Sequence, residues 1–128
     1  MPVAGVEKSR WFCVKMMAWE VNMTEHRICV PCSSDAEPLS REACETYLTG
    51  LPEWQLDSEA REITRKFVFK DFAGAMSFAV KVGRLADEMG HHPVLTIGWG
   101  FCKVKFKTSK INGLHKNDFV MAAHVNHL

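Results

Sequence analysis

The chain has 128 residues, enough for one domain with a core that folds unaided. With 47% hydrophobic and 24% charged residues, its composition is typical of a globular protein. The formal net charge of +1 excludes a strong overall attraction to nucleic acid or to an anionic membrane, and no apolar run reaches the roughly 18 residues that cross a bilayer.

The five cysteines do not indicate a disulfide framework, because their number is odd and no secretory signal is apparent. We therefore expect a reducing compartment, the cytoplasm, with the nucleus as the alternative. Cys29 and Cys32 have the CxxC spacing, but a structural zinc site needs four ligands and His26 would supply only a third. A redox pair would lie between a strand and a helix, which this segment does not predict. Ordinary thiols are the favoured interpretation; metal binding and redox chemistry stay open.

Residues 1–38 are interpreted as an N-terminal extension and linker. The first 22 residues make a poor signal peptide, because Lys15 and Glu20 interrupt the apolar stretch. The segment CVPCSSDAEP that ends at Pro38 has the composition of a linker. We therefore place the compact domain at residues 39–128.

The domain is predicted to begin with a short helix and a hairpin. Ser40 is a suitable N-cap for a helix over REACETYL that ends near Gly50. Trp54 and Leu56 alternate with polar residues, which indicates a short strand. After a turn at residues 57–60, the alternation in residues 62–70 predicts its pairing partner, with one face solvated.

A long amphipathic helix follows, with Asp71 as its N-cap and Gly90 and Pro93 at its end. Apolar residues recur at helical spacing in two adjacent ridges: Ala75, Phe78, Val82, Leu85 and Met89, and Phe72, Met76, Ala79, Gly83 and Ala86. So wide an apolar surface suits packing on a sheet and also on another subunit.

A second hairpin and a last helix complete the predicted domain. Residues 94–97 form a third strand, and Gly98-Trp99-Gly100 forms a bend. In the fourth strand Cys102, Val104 and Phe106 alternate with lysines 103, 105 and 107, a row that we expect to face water; an anion- or nucleic-acid-binding stripe is the alternative. The last helix begins near residues 115–117. This order predicts an α+β two-layer sandwich, a four-stranded antiparallel sheet with three helices on one face (α-β-β-α-β-β-α).

His91 and His92 stand where the chain turns from the long helix into a strand. Gly90 permits a left-handed helix end, and Pro93 restricts His92 to an extended backbone. Across such a corner, neighbouring rings can reach one recess, whereas on a regular element they would diverge. Because histidine titrates near neutrality, the pair indicates acid–base chemistry without a metal. The alternative is a favourable interaction of the rings with the helix C-terminus.

The pattern Asp87-x-x-x-His91-His92-Pro93, then Trp99, then Gly113-Leu114-x-x-x-Asp118, resembles the signature of pterin-4a-carbinolamine dehydratases. The similarity extends through Leu39, Trp54, the FVFKDF stretch and the long helix, over about residues 39–126. It implies the dehydration of 4a-hydroxytetrahydrobiopterin to quinonoid dihydrobiopterin, a hydro-lyase reaction of pterin recycling that needs no cofactor and no metal.

The resemblance also implies the site residues. His91 and His92 would be catalytic; the substrate-binding residues would be Asp87, Pro93, Trp99, Thr108 and Ser109. Asp87 would orient a ring or bind the pterin, with an ordinary solvated carboxylate as the alternative. Trp99 would wall the pocket or lie in the core. Asp118 fits best as a carboxylate that stabilises the first turn of the last helix.

One position departs from the family pattern. Ser109 stands where a third histidine is expected, and serine is no general acid at neutral pH, so activity is expected to be reduced. His115, on the same connecting loop, is a candidate substitute, although a surface histidine is the favoured interpretation. The alternative function is therefore a catalytically weak relative that acts as a binding, dimerisation or assembly factor. The expected partners are a pterin substrate, a second copy of the chain in a homodimer or homotetramer, and a possible protein partner, without direct nucleic-acid or membrane binding.

Overall fold

The computed structural model of the protein describes residues 36–128. The predicted extension, with Cys29 and Cys32, lies almost wholly outside the described residues. The described chain contains helices α1 (Arg41–Leu48), α2 (Phe72–Met89) and α3 (Lys116–Val125), strands β1 (Gln55–Leu56), β2 (Ile63–Val68), β3 (Val94–Gly98) and β4 (Phe101–Phe106), and a 3₁₀ turn at Ser109–Ile111. The predicted α+β order is confirmed.

The four strands form one antiparallel sheet in the order β1-β2-β4-β3. Each hairpin supplies two neighbouring strands, and β2 pairs with β4 along the whole of both strands, from Ile63 opposite Phe106 to Val68 opposite Phe101. The strand with the alternating lysines is thus central, so these lysines do not protect a sheet edge. Lys103 is exposed, and Lys105 Nζ lies 3.4 Å from Glu62 Oε1.

The core lies between the sheet and the helices. In β4, Cys102, Val104 and Phe106 are fully buried, while the alternate face carries the lysines, which is the period-2 pattern of a half-buried strand. The helices contribute Ala75, Ala79, Val82 and Ala86 from α2 and Phe119, Met121, Ala122 and Val125 from α3. All three helices lie on one face of the sheet, as predicted.

Two cysteines lie in this core. Cys44 and Cys102 are fully buried and free. Burial raises the pKa of both thiols. A thiol in this state is protonated at neutral pH and is a poor nucleophile.

Both ends of α2 have the predicted caps. The Asp71 side chain accepts a hydrogen bond from the Gly74 N–H at 2.8 Å. Gly90 ends the helix in the left-handed region, with φ of 70°. A residue with a β-carbon would be strained there, so glycine is what allows the chain to leave the helix at this point.

The last helix is buried on most sides, because α1, α2 and the sheet all pack around it. Tyr47 stacks on Phe119 with ring centroids 4.9 Å apart. At its C-terminal end, Asn126 Oδ1 accepts hydrogen bonds from Trp54 Nε1 (2.8 Å) and Arg65 Nη1 (2.7 Å). These contacts hold α3, which carries Asp118 in its first turn, against α1 and β2. Within residues 36–128, no helix is long and apolar enough to cross a membrane.

Candidate active site

The corner after α2 sends its two histidines into different surroundings. The side chain of His91 is 12% exposed and that of His92 is 64% exposed. Gly90 and His91 both donate their backbone N–H groups to the carbonyl of Ala86, which closes the helix end. The next residues run through Pro93 into β3. The backbone thus supplies one buried and one exposed imidazole at the same end of the molecule.

His91 forms a close pair with Asp118 of α3. His91 Nε2 lies 2.6 Å from Asp118 Oδ1, and the two residues are 27 positions apart in the chain. The imidazole also stacks on Phe106, with an interplanar angle of 14° and ring centroids 6.1 Å apart. The ring is therefore held by a charged partner at one edge and by an aromatic face.

Asp118 is itself fixed by two further hydrogen bonds. Its Oδ2 accepts from the Thr108 hydroxyl at 2.7 Å and from the His115 backbone N–H at 2.9 Å. Asp118 is fully buried, and a buried carboxylate is stable only when its oxygens are hydrogen-bonded. With Oδ2 taken by these two donors, Oδ1 is directed at His91.

This network includes the N-terminal cap of α3. His115 is the N-cap, and its Nδ1 accepts the backbone N–H of Asn117 at 3.1 Å, while Asp118 completes the capping box. The predicted first-turn role of Asp118 describes its Oδ2, whereas its Oδ1 has a second role toward His91. The Nδ1 of His115 is engaged in the cap, so any contact of this ring with a substrate would have to use Nε2.

His92 pairs with Asp87 at the surface. His92 Nε2 lies 2.9 Å from Asp87 Oδ1, and the Asp87 side chain is 81% exposed. Asp87, in the last turn of α2, is thus in contact with the ring of His92. Because both groups are solvated, this contact restrains the ring less firmly than Asp118 restrains His91.

The other predicted binding residues are placed as follows. Pro93 is half-buried between His92 and β3. Thr108 is 5% exposed and its hydroxyl donates to Asp118, so it supports the carboxylate, while its contact with a substrate stays a prediction. Ser109 is exposed and begins the 3₁₀ turn. Thr108 and Ser109 follow β4 directly, at the end of the sheet that carries the histidines.

Trp99 is the predicted site residue that lies elsewhere. It is 73% exposed in the turn between β3 and β4, so its placement in the core is wrong. Trp99 comes seven positions after His92 along mainly extended chain, which at about 3.3 Å per residue is roughly 23 Å. Within one chain Trp99 therefore lies far from the histidines.

Sequence reasoning missed the pairing of Asp118 with His91. The available signal was a carboxylate in the first turn of a helix, which a local cap explains fully.

Among residues 36–128, no group of three or more His, Cys, Asp or Glu side chains is arranged to hold a metal ion. The described site is thus built from two imidazole–carboxylate pairs.

Comparison with known proteins identifies one family. The family model described as pterin 4 alpha carbinolamine dehydratase matches residues 37–128. A protein of Methylococcus capsulatus, provisionally named a pterin-4-alpha-carbinolamine dehydratase, is 49% identical over 100 residues, which cover 78% of this chain and 88% of that one. A similarly named protein of Aromatoleum aromaticum is 46% identical over 99 residues, covering 77% and 88%.

Two solved structures are similar in fold. A transcriptional coactivator/pterin dehydratase from Brucella melitensis superposes with a TM-score of 0.66 at 30% identity, covering 71% of this chain and 97% of that chain. A pterin dehydratase-like protein described as a RuBisCO assembly factor of the alpha-carboxysome gives a TM-score of 0.51 at 18% identity, covering 59% and 87%. At that identity the second structure shares the fold alone.

Proposed function

Because the chain belongs to the pterin 4 alpha carbinolamine dehydratase family, we propose that it dehydrates 4a-hydroxytetrahydrobiopterin to quinonoid dihydrobiopterin, with His91 and His92 as the acid–base residues. The observation that supports this most is the buried contact between His91 Nε2 and Asp118 Oδ1 at 2.6 Å. An imidazole fixed by a buried carboxylate is a recurring arrangement for a group that exchanges protons.

The reaction needs one proton donor and one acceptor. The C4a–O bond breaks as the hydroxyl receives a proton and leaves as water. The proton on N5 departs, and its electron pair forms the C4a=N5 double bond. Histidine titrates near neutrality, so one ring can begin protonated and the other neutral. Proton exchange with water can then restore the starting state of both rings.

The geometry suggests which ring is the base and which is the acid. An ionised carboxylate only accepts hydrogen bonds, so Asp118 favours the His91 tautomer with its proton on Nε2 and an unprotonated Nδ1. An unprotonated Nδ1 suits the base that takes the proton from N5 of the pterin. His92, solvated and next to the Asp87 carboxylate, suits the acid that protonates the leaving hydroxyl. Asp118 and Thr108 act as positioning residues behind His91.

Stopped-flow measurement of carbinolamine dehydration tests this assignment. The wild type should be fast compared with buffer, and His91→Ala and His92→Ala should each be slower by about 10²-fold or more, because each removes a positioned acid or base. The matched control is His127→Ala, which removes an exposed histidine near the end of the chain. If His127→Ala loses as much activity as His91→Ala, the assignment is wrong.

Ser109 bears on the size of the activity. It is exposed at the start of the 3₁₀ turn, where the family pattern has an imidazole. We propose that its hydroxyl hydrogen-bonds the pterin without transferring a proton, so that the wild-type rate is reduced. Ser109→His should then dehydrate faster than wild type in the same assay, and an unchanged or lower rate would contradict this proposal.

A second candidate function is that of a protein-binding or assembly factor. Phe72, Met76 and Val80 recur every four residues along α2 and are 47%, 40% and 48% exposed; we call them the α2 stripe. An exposed apolar row of this kind suits a protein partner or a second copy of the chain, in a homodimer or homotetramer. A wild type as slow as buffer, together with an intact fold, would favour this function over catalysis.

A further inference from the structure

The face of the sheet that points away from the helices is positively charged; we call it the outer face. Because alternate residues of a strand share a face, the pairing register places Lys66 of β2 and Lys103 and Lys105 of β4 on it together. None of the four strands contains an acidic residue. The lysines that alternate with the core residues of β4 therefore belong to a basic surface that spans the two central strands.

Two of these lysines lie directly opposite each other. Lys66 and Lys103 are cross-strand partners and both are exposed. Side chains in such positions have β-carbons about 4.5–5.5 Å apart, and like charges there are destabilising. Lys105 is paired with Glu62 at 3.4 Å, but among residues 36–128 neither Lys66 nor Lys103 forms an ion pair. An anion bound between the two ammonium groups would remove this unfavourable interaction.

Aromatic side chains lie next to the lysine pair. The Phe101 ring lies across Gly98 of β3, so closely that a β-carbon there would be 2.3 Å from Phe101 Cε1. Lys66 Nζ is 4.9 Å from the centroid of the same ring. Trp99, in the adjoining turn, is 73% exposed. The absence of a side chain at Gly98 thus lets the Phe101 ring lie against the sheet, where a further planar group can stack beside the lysines.

We propose that the outer face binds single-stranded nucleic acid, with phosphates at Lys66 and Lys103 and bases stacked on Phe101 and Trp99. Lysines that pair with the backbone and aromatic rings that stack on bases are the combination by which protein surfaces hold unpaired strands. The net charge of +1 argues against a strong attraction of the whole chain, but the outer face concentrates positive charge locally. This inference does not depend on the proposed dehydratase function.

Fluorescence anisotropy of labelled oligo(dT) and oligo(U) with the full chain tests the proposal. Affinity should fall roughly 10-fold between about 50 and 200 mM salt, as expected when two or three phosphates are neutralised. A duplex of the same length should bind more weakly, because its bases are not free to stack on the sheet. The two oligonucleotides distinguish DNA from RNA as the preferred strand; binding of either supports the proposal, and binding of neither overturns it.

Lys103→Glu separates binding from folding. The new carboxylate lies opposite Lys66, so an unfavourable pair becomes a favourable one and the urea midpoint of unfolding should rise. Affinity for the oligonucleotide should nevertheless fall by about 10-fold or more, because a phosphate contact is replaced by a repulsive charge. The matched control is Lys81→Glu, which makes the same charge change at an exposed position of α2. If both variants lose affinity equally, or if Lys103→Glu binds like wild type, the proposal is overturned.

Phe101→Leu tests the stacking contribution. Leucine keeps an apolar side chain next to Gly98 but offers no aromatic face, so affinity should fall by at least about fivefold. Poly-glutamate, which carries charge without bases, serves as a competitor that represents an acidic protein, and it should displace the oligonucleotide poorly. If poly-glutamate competes as well as unlabelled oligo(dT) and Phe101→Leu binds like wild type, the outer face is a surface for acidic proteins and the assignment to nucleic acid is overturned.

Discussion

At the scale of single residues, Asp118 connects the parts of the candidate site. It is fully buried, and it contacts a hydroxyl, a backbone N–H and an imidazole. Leaving a buried hydrogen-bonding group without a partner costs about 1–3 kcal/mol, and more for a charged group. Each partner therefore stabilises the position of the carboxylate, and the carboxylate in turn restricts the orientation of the His91 ring.

The tautomer can be measured directly. We expect neutral His91 to carry its proton on Nε2, because Asp118 Oδ1 lies 2.6 Å from that nitrogen and can only accept. Nitrogen-15 NMR of the histidine rings distinguishes the two tautomers by chemical shift. His92, which is 64% exposed, is the internal control and should show averaging between tautomers. A His91 ring protonated on Nδ1 would contradict the assignment of Nδ1 as the base.

The sequence predicted these residues more readily than their connection. The His91-His92-Pro93 pattern and the Asp118 cap were each visible from local spacing. Their contact joins residues 27 positions apart and depends on how α3 packs beneath the corner after α2. Local periodicity carries no such information, so Asp118 was interpreted as a cap alone.

At the scale of elements, the end of α2 sets the direction of the histidine corner. Gly90 has φ of 70°, where an alanine costs about 1–2 kcal/mol. At Gly83, inside the same helix, no atom apart from the adjacent residues and the helix's own backbone lies within 4 Å of the position that a β-carbon would occupy. A helix-interior glycine with free space around it weakens the helix by roughly 0.5–1 kcal/mol relative to alanine.

These two glycines form a matched pair of substitutions. Gly90→Ala should lower the free energy of unfolding by about 1–2 kcal/mol, and Gly83→Ala should raise it by roughly 0.5–1 kcal/mol, as measured by urea denaturation. The same chemical change thus has opposite signs at two positions of one helix. If Gly90→Ala is as stable as wild type, the left-handed helix end does not constrain the corner.

The turn between β1 and β2 gives the fold a pH dependence. Partial burial acts to raise the pKa of Asp57, but hydrogen bonds from the backbone N–H groups of Glu62, Arg61 and Glu59 outweigh it and hold the pKa below its usual value. The shortest of these bonds are 2.6 Å from Arg61 N and 2.9 Å from Glu62 N. The folded state therefore binds a proton at Asp57 less readily than the unfolded chain does.

This difference predicts a pH-dependent effect of Asp57→Asn. The stabilisation from the carboxylate should be complete above the ordinary aspartate pKa of about 3.9 and should be lost as the pH falls through the lower pKa of the folded state. Urea unfolding from pH 7 to pH 2 should show wild type and variant converging in acid. Glu59→Gln, which removes a surface carboxylate from the same turn, is the control. A constant difference at all pH values would contradict the role of Asp57.

The elements themselves were largely predictable, and their arrangement was less so. Helical periodicity with Asp71 and Gly90 as caps gave the bounds of α2, because the caps are local chemistry. The central position of β4 could not be read from its lysine alternation, since any half-buried strand has that pattern. Strand order depends on which hairpin edges meet, which is a property of the whole sheet.

At the scale of the whole molecule, the fold combines a buried imidazole–carboxylate pair with exposed apolar surfaces. The pair occupies one end, where α2, β4 and α3 meet. The α2 stripe is a separate surface, and its exposed apolar side chains suit association with another chain. The candidate site and the α2 stripe thus occupy different parts of the described structure, so substitutions in one can be tested without altering the other.

The most direct test of the central claim, that Asp118 positions His91 for proton transfer, is the dehydration rate of Asp118→Asn. An asparagine keeps the size of the side chain but offers an amide N–H, which favours the wrong tautomer of His91. We predict a rate at least about 10²-fold below wild type at neutral pH, in a protein with an unchanged far-ultraviolet circular dichroism spectrum, while Glu88→Gln on the exposed face of α2 stays at the wild-type rate. An Asp118→Asn protein that dehydrates the carbinolamine as fast as wild type would contradict the account.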